Sequence, residues 1–238
     1  ERSLRARFAG EQLIERQRQQ LAVSSRLIRK YAPSAVASRL ERGDTSIDQP
    51  QRRRVTVFSS DLVGFTTLAD QVDPEALAEI VNGYVSALAE IIERHGGTVT
   101  EFAGDGMMAI FGAPDDLAPA AQVRAAVDAA RELQATLPEW SRGWYQHGIA
   151  TDLKARVGIN TGMASVGTFG SAVRATYTGI GLQTNIAARI QSHATPGSVL
   201  LSSTSWHLIK DTIACTPRGE ADVKGVHFPL AVYELADP

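Results

Sequence analysis

Only one cysteine, Cys215, occurs among the 238 residues, so an internal disulfide framework is excluded. No apolar run approaches the roughly 18 residues of a membrane span, and a secretory leader is not expected from this sequence. Aromatic residues make up 6% of the sequence and do not interleave with basic ones, so the stacking platform of a nucleic-acid binder is missing and nucleic acid is not an expected partner. His95, His147, His193, His207 and His227 lack metal-ligand spacing, and neither a hydrolase triad nor a P-loop pattern is present. A reducing, cytoplasmic setting is the expectation. The first residue is Glu1 rather than Met, which predicts a fragment whose upstream portion lies outside this sequence.

What is present is an apolar fraction of 44%, enough for a core, and a charge asymmetry hidden by the net charge of -2. Residues 1–54 carry 13 Arg or Lys against 6 Asp or Glu, leaving 11 against 20 for the remainder. The basic residues alternate with Glu and Gln at helical spacing, the pattern of a solvated helix face. From Leu4 to Lys30 there is no Pro, and Ile14, Leu21 and Ile28 recur every seven residues. Residues 1–32 therefore read as a short coiled-coil helix whose second seam is weakened by Gln17 and Ser24. Residues 33–51 read as a short helix and linker punctuated by Pro33 and Gly43.

Residues 52–236 read as the main domain. "RVTVFSSDLV" alternates like a strand, and the segment from Asp73 to Gly97 has a cap at Asp73, Pro74 at the first helical position and Gly96 just past the end. "TVTEFAGDGMMAIFGA" predicts two strands around a Gly-Asp-Gly turn, and an Ala-rich helix follows from about Ala118 to Leu137. "KARVGINTGMASVGTF" reads as a strand pair, "TNIAARIQSHA" as a helix, "GSVLLSS" as a strand and "DVKGVHFPLAVYEL" as a closing hairpin, while "EWSRGWYQ" reads as a loop that packs on a neighbour. The order is that of an α+β fold with a ferredoxin-like βαββαβ core and C-terminal additions, preceded by a helical segment. Helices are expected on one face of the sheet, leaving the other free for binding.

Asp61 ends the first predicted strand and Asp105 occupies the hairpin turn, so antiparallel pairing brings two carboxylates together. Such a pair suits hard divalent cations, although Asp also serves simply to cap a turn or shape a hairpin. After Asp61 come Gly64, Phe65, Thr66 and Thr67, a turn that can cradle phosphate or act as a plain capped turn.

"FSSDLVGFT", "EFAGDGMMAIFG", "RVGINTG" and "YTGIGLQTNIAARIQ", in that order and spacing, resemble the catalytic domain of class III nucleotidyl cyclases, the adenylate and guanylate cyclase superfamily. The resemblance spans residues 52–236 and implies the nucleotide cyclase fold in a head-to-tail homodimer with active sites at the interface. It implies that Asp61 and Asp105, with the Leu62 carbonyl, hold two divalent cations, Mg²⁺ or Mn²⁺. The partner protomer then supplies Asn185 to orient the ribose and Arg189 to offset charge at the α-phosphate. Gly64, Phe65, Thr66 and Lys224 fall at phosphate-contacting positions. An upstream sensor or membrane domain in the full-length protein is a further expectation.

Base choice falls to Glu101 and Thr178, which occupy the family's two base-reading positions. A carboxylate accepts two hydrogen bonds and donates none, matching the N1–H and amine of guanine and leaving adenine N1 unsatisfied. Mismatch in a closed pocket costs about 1–3 kcal/mol, roughly tenfold to a hundredfold in preference. GTP is therefore the favoured substrate; ATP turnover despite Glu101, or a weakly catalytic regulatory domain, are the other readings.

Overall fold

The computed structural model describes residues 2–65, 69, 72–146, 153–171, 173–222 and 229–236. Helix α1 (Arg2–Tyr31) leads through a tight elbow into α2 (Ser34–Glu41) and a 3₁₀ turn (Ser46–Asp48). The body then runs β1 (Gln51–Leu62), α3 (Pro74–Arg94), β2 (Gly97–Ala103), β3 (Gly106–Phe111), α4 (Pro119–Gln146) and β4 (Ala155–Gly170). It closes with β5 (Ala175–Ile180), α5 (Leu182–His193), β6 (Val199–Ser202), α6 (Ser203–His207), β7 (Cys215–Ala221) and β8 (Leu230–Leu235).

The strands form one eight-stranded sheet in the order β2-β3-β1-β4-β6-β8-β7, with β5 also paired to β4. Its β2-β3-β1-β4 portion is antiparallel throughout, the expected ferredoxin-like core. Period-two alternation along β1 sorts its side chains: Phe58 and Leu62 face the cluster under α3 and α4, while Val55 and Val57 face the cluster under α2 and α5. On α3 the buried residues Ile80, Tyr84, Leu88 and Ile91 recur at helical spacing, which fixes the face it lays on the sheet.

Four details differ from the sequence reading. Both faces of the sheet are covered, because Val55, Val57, Ile110 and Val166 make the second face apolar as well, and Val36 and Ala187 pack onto it. "KARVGINTGMASVGTF" contributes one 16-residue strand rather than a pair; its first half pairs β6, its second half β5, and β1 runs along the opposite edge. Helix α4 continues through Pro138 to Gln146, since Trp140 and Trp144, one turn apart, pack inward. Trp140 meets the Tyr84 ring edge-on at 6.2 Å, so "EWSRGWYQ" is core-facing helix and not a docking loop. The closing hairpin pairs β7 with β8, so its first strand precedes the segment read from the sequence, of which residues 223–228 lie outside the described residues.

Helix α5 lies close against β4 for a local reason. A Cβ on Gly158 would come within 2.3 Å of the Ala187 carbonyl oxygen and 2.4 Å of the Gln191 nitrogen. Asn160 adds a tether by donating from Nδ2 to the Gln183 carbonyl at 3.0 Å. The "RVGINTG" run is thus a strand shaped to receive a helix, and that helix carries Asn185 and Arg189.

Candidate active site

The end of β1 and the β2–β3 turn meet. Gly104, at φ +65°, supplies the left-handed residue that turns the chain before Asp105. The Leu62 N–H donates to Asp105 Oδ2 at 3.1 Å, tying the turn to the strand end. Burial pushes the Asp105 carboxyl up to about 6, and the neighbouring Asp61 charge adds to the shift, against the pull of backbone N–H donors. Asp61 sits opposite Arg156 in the β1–β4 register, and the two side chains form an ion pair.

Among the described residues no group of three or more His, Cys, Asp or Glu is placed to hold a metal. The Asp61–Asp105 pair is nevertheless a donor set suited to Mg²⁺ or Mn²⁺ when substrate phosphates and water complete the coordination. The raised Asp105 carboxyl fits this: two carboxylates crowded together in a half-buried site are relieved by a cation.

Glu101 reaches its position through a β-bulge. Val99 pairs with Ala109, whereas Glu101 pairs with Met108, so the register slips by one between them. In a regular strand Glu101 would share the face of Val99, which is buried among the residues beneath α3 and α4. The bulge turns it to the other face, where it is exposed. There Glu101 and Thr178 line a common cleft of about 670 Å³. Its remaining wall includes the α1–α2 elbow, with Lys30, Tyr31 and Pro33. The elbow is strapped by Glu41, which accepts from Arg29 Nε at 2.9 Å and also pairs with Ser25.

Asn185 and Arg189 are exposed, one turn apart on α5, with no side-chain partner of their own among the described residues. They do not line the cleft that holds Glu101 and Thr178, and neither do Asp61 and Asp105. The site residues thus fall into three groups: a carboxylate pair, the cleft that holds Glu101 and Thr178, and an open helix face. Gly64 is exposed and Phe65 packs against the main cluster. Thr66, Thr67 and Lys224 lie outside the described residues. Sequence reasoning missed Arg156, whose relation to Asp61 depends on strand register.

This fold, with acidic residues at the β1 end and the β2–β3 turn and an Asn/Arg helix on β4, defines a class, and comparison with known proteins identifies it. Residues 47–236 match the adenylate and guanylate cyclase catalytic domain family, and the chain belongs to that family. The crystal structure of the adenylyl cyclase CyaB from P. aeruginosa is 36% identical, with a TM-score of 0.77 over 80% of this chain and 97% of that one. The guanylyl cyclase Cya2 is 34% identical, with a TM-score of 0.74 over 79% of this chain and 94% of that one. Adenylate cyclase 1 of Rhizobium meliloti is 29% identical over 86% of this chain, which spans 31% of that protein's length. Among the described residues no helix is long and apolar enough to cross a membrane.

Proposed function

We propose that this chain is the catalytic unit of a nucleotidyl cyclase that converts a purine nucleoside triphosphate, GTP in preference to ATP, into its 3′,5′-cyclic monophosphate and pyrophosphate. The observation that carries the reading is the Asp61–Asp105 pair, joined through the Leu62 N–H, in a chain of this family. Asp61, Asp105 and the Leu62 carbonyl would hold two divalent cations, which when bound supply positive charge at the ribose 3′-hydroxyl and the triphosphate. Arg156 pairs with Asp61, and its guanidinium would also suit phosphate oxygens brought to that carboxylate.

Residues 52–236 form the catalytic domain, residues 1–32 the dimer helix and residues 33–51 the connection between them. The separation of the site residues into three groups supports a head-to-tail homodimer, in which Asn185 and Arg189 of one protomer complete the carboxylate site of the other. Arg189 then offsets charge on the α-phosphate in the transition state, and Asn185 orients the ribose. The exposure of Ile14 and Leu21, 52% and 73%, supports a partner helix against α1. Gly64 and Phe65, with Thr66 and Lys224, would contact the phosphates. Because the chain spans about a third of its relative's length, an upstream sensor or membrane domain is part of the proposal.

CyaB is named an adenylyl and Cya2 a guanylyl cyclase, so likeness does not choose the base; Glu101 does. The bulge that turns Glu101 into the cleft beside Thr178 supports guanine, whose N1–H and amine both donate to a carboxylate. The test is a product assay with equal ATP and GTP in Mn²⁺ and in Mg²⁺, run beside Glu101→Lys. Cyclic GMP from the parent and its loss in the variant are expected. Predominant cyclic AMP from the parent refutes the guanine reading, and no cyclic nucleotide under any condition refutes the cyclase.

A further inference from the structure

Gly158, Asn160 and Gly162 alternate onto the face of β4 that receives α5. The outer two carry no side chain, so Asn160 is the group that meets the helix between them. It is 2% exposed, and a buried amide destabilises a fold unless its polar atoms are satisfied. Nδ2 donates to the Gln183 carbonyl at 3.0 Å and to Gln183 Oε1 at 2.8 Å, while Oδ1 accepts from Thr204 Oγ1 at 3.4 Å. A backbone carbonyl can only accept, which fixes the orientation of the amide. Both donors of Asn160 therefore go to one residue in the first turn of α5. The N-cap residue of that helix is Gly181, which makes no side-chain cap bond, so the tether comes from the strand.

These bonds control what the rest of α5 leaves free. Ile186, Ala187 and Ile190 are buried through apolar contact, which is non-directional and resists rotation or sliding of the helix only weakly. The bonds to Gln183 are directional and oppose both. At about 100° per residue, Gln183 and Ala187 share the face toward the strand, while Asn185 and Arg189 lie on the far side, where both are exposed. A rotation of about 10° carries a guanidinium ~8 Å from the helix axis through ~1.4 Å, and a misplacement of about 1 Å can cost roughly a hundredfold in rate.

We propose that Asn160 is a positioning residue for turnover: through Gln183 it sets the rotation of α5, and with it the reach of Asn185 and Arg189. The proposal rests on the reading in which those two residues complete the carboxylate site of the other protomer. Buried beneath α5, Asn160 acts only through the helix. Its loss therefore damages the half of the composite site that contributes α5 and leaves the Asp61–Asp105 half of the same chain intact.

The experiment co-expresses two differently tagged full chains, isolates the mixed dimer through both tags, and measures cyclic nucleotide from GTP and from ATP in Mn²⁺. Asp61→Ala and Arg189→Ala are the reference pair. In a head-to-tail dimer they place both defects in one site and leave the other intact, so the mixed dimer should turn over where neither variant does alone. Asn160→Leu, which keeps the volume and removes the amide, is expected to lower kcat about tenfold to a hundredfold with little change in KM. Pairing with Asp61→Ala should restore turnover, and pairing with Arg189→Ala should not. Gln183→Leu removes the side-chain acceptor from the other side of the contact; it should show the same pattern, and it keeps the proposal testable if Asn160→Leu misfolds. Parent-like turnover of a folded variant, or failure of Asp61→Ala to restore it while the reference pair recovers, overturns the positioning role and leaves the composite site standing. If the reference pair itself stays silent, the head-to-tail reading falls and the role of Asn160 falls with it.

Discussion

Replacing Asp105 with Asn should stabilise the cation-free protein while abolishing turnover. The carboxyl is held at about 6 instead of the ordinary aspartate value of 3.8, chiefly by burial and next by the Asp61 charge. The folded chain therefore binds this proton more tightly than the unfolded chain does. That stabilisation is fully present below about pH 3.8 and is lost as pH rises through about 6, so at pH 8 the fold carries an unfavourable carboxylate. A shift of this size corresponds to roughly 3 kcal/mol at about 1.4 kcal/mol per pH unit. Because the group is only half-buried, solvent screening reduces the figure to about 1–1.5 kcal/mol. For a chain of this length that is about 2–6 °C in Tm. The assay is thermal melting in chelator between pH 4.5 and 8, repeated with Mn²⁺. Asp105→Asn should melt above the parent at pH 8, with the gap closing toward pH 4.5, and Mn²⁺ should raise the Tm of the parent alone. A gap that is absent at pH 8, or unchanged across the range, would refute the reasoning.

Arg189→Ala should lower kcat by about 10²–10³, the scale for removing one preorganised transition-state donor, with little change in KM; an effect mainly on KM would remove the transition-state role. Gly158→Ala should lower Tm by about 4–10 °C, because the new Cβ meets backbone atoms of α5 at 2.3 and 2.4 Å and overpacking costs roughly 1–3 kcal/mol or more. Since α5 must move to relieve the contact, turnover should fall as well, and a variant that melts and turns over like the parent would separate α5 placement from catalysis.

Much of the fold was legible because its signals are local. Asp73 and Pro74 open α3 and Gly96 follows its end, although the Asp73 side chain makes no capping hydrogen bond, and the Gly-Asp-Gly turn joins β2 to β3. The failures arose where tertiary packing overrode a local signal. The Ala-rich pattern runs only to about Leu137, but inward packing of Trp140 and Trp144 carries α4 on to Gln146. "KARVGINTGMASVGTF" reads as a strand pair, yet Gly158 and Gly162 serve the approach of α5 and Gln183, and β1 and β6 hold the segment extended on both edges.

The site divides along the same line. Asp61 and Asp105 could be paired from strand order alone, because a hairpin next to the first strand leaves little choice of register. Arg156 could not, since it belongs to the site through a contact between distant segments that no spacing encodes. Glu101 lies between these cases. Its residue type pointed to the base, whereas its access to the cleft depends on one extra residue in β2 that displaces it from the face of Val99. A strand in perfect alternation would have buried that carboxylate beneath α3, where an unpaired charge is prohibitively unfavourable. The bulge therefore lets a single edge strand serve two environments, with Val99 in the core and Glu101 in the cleft.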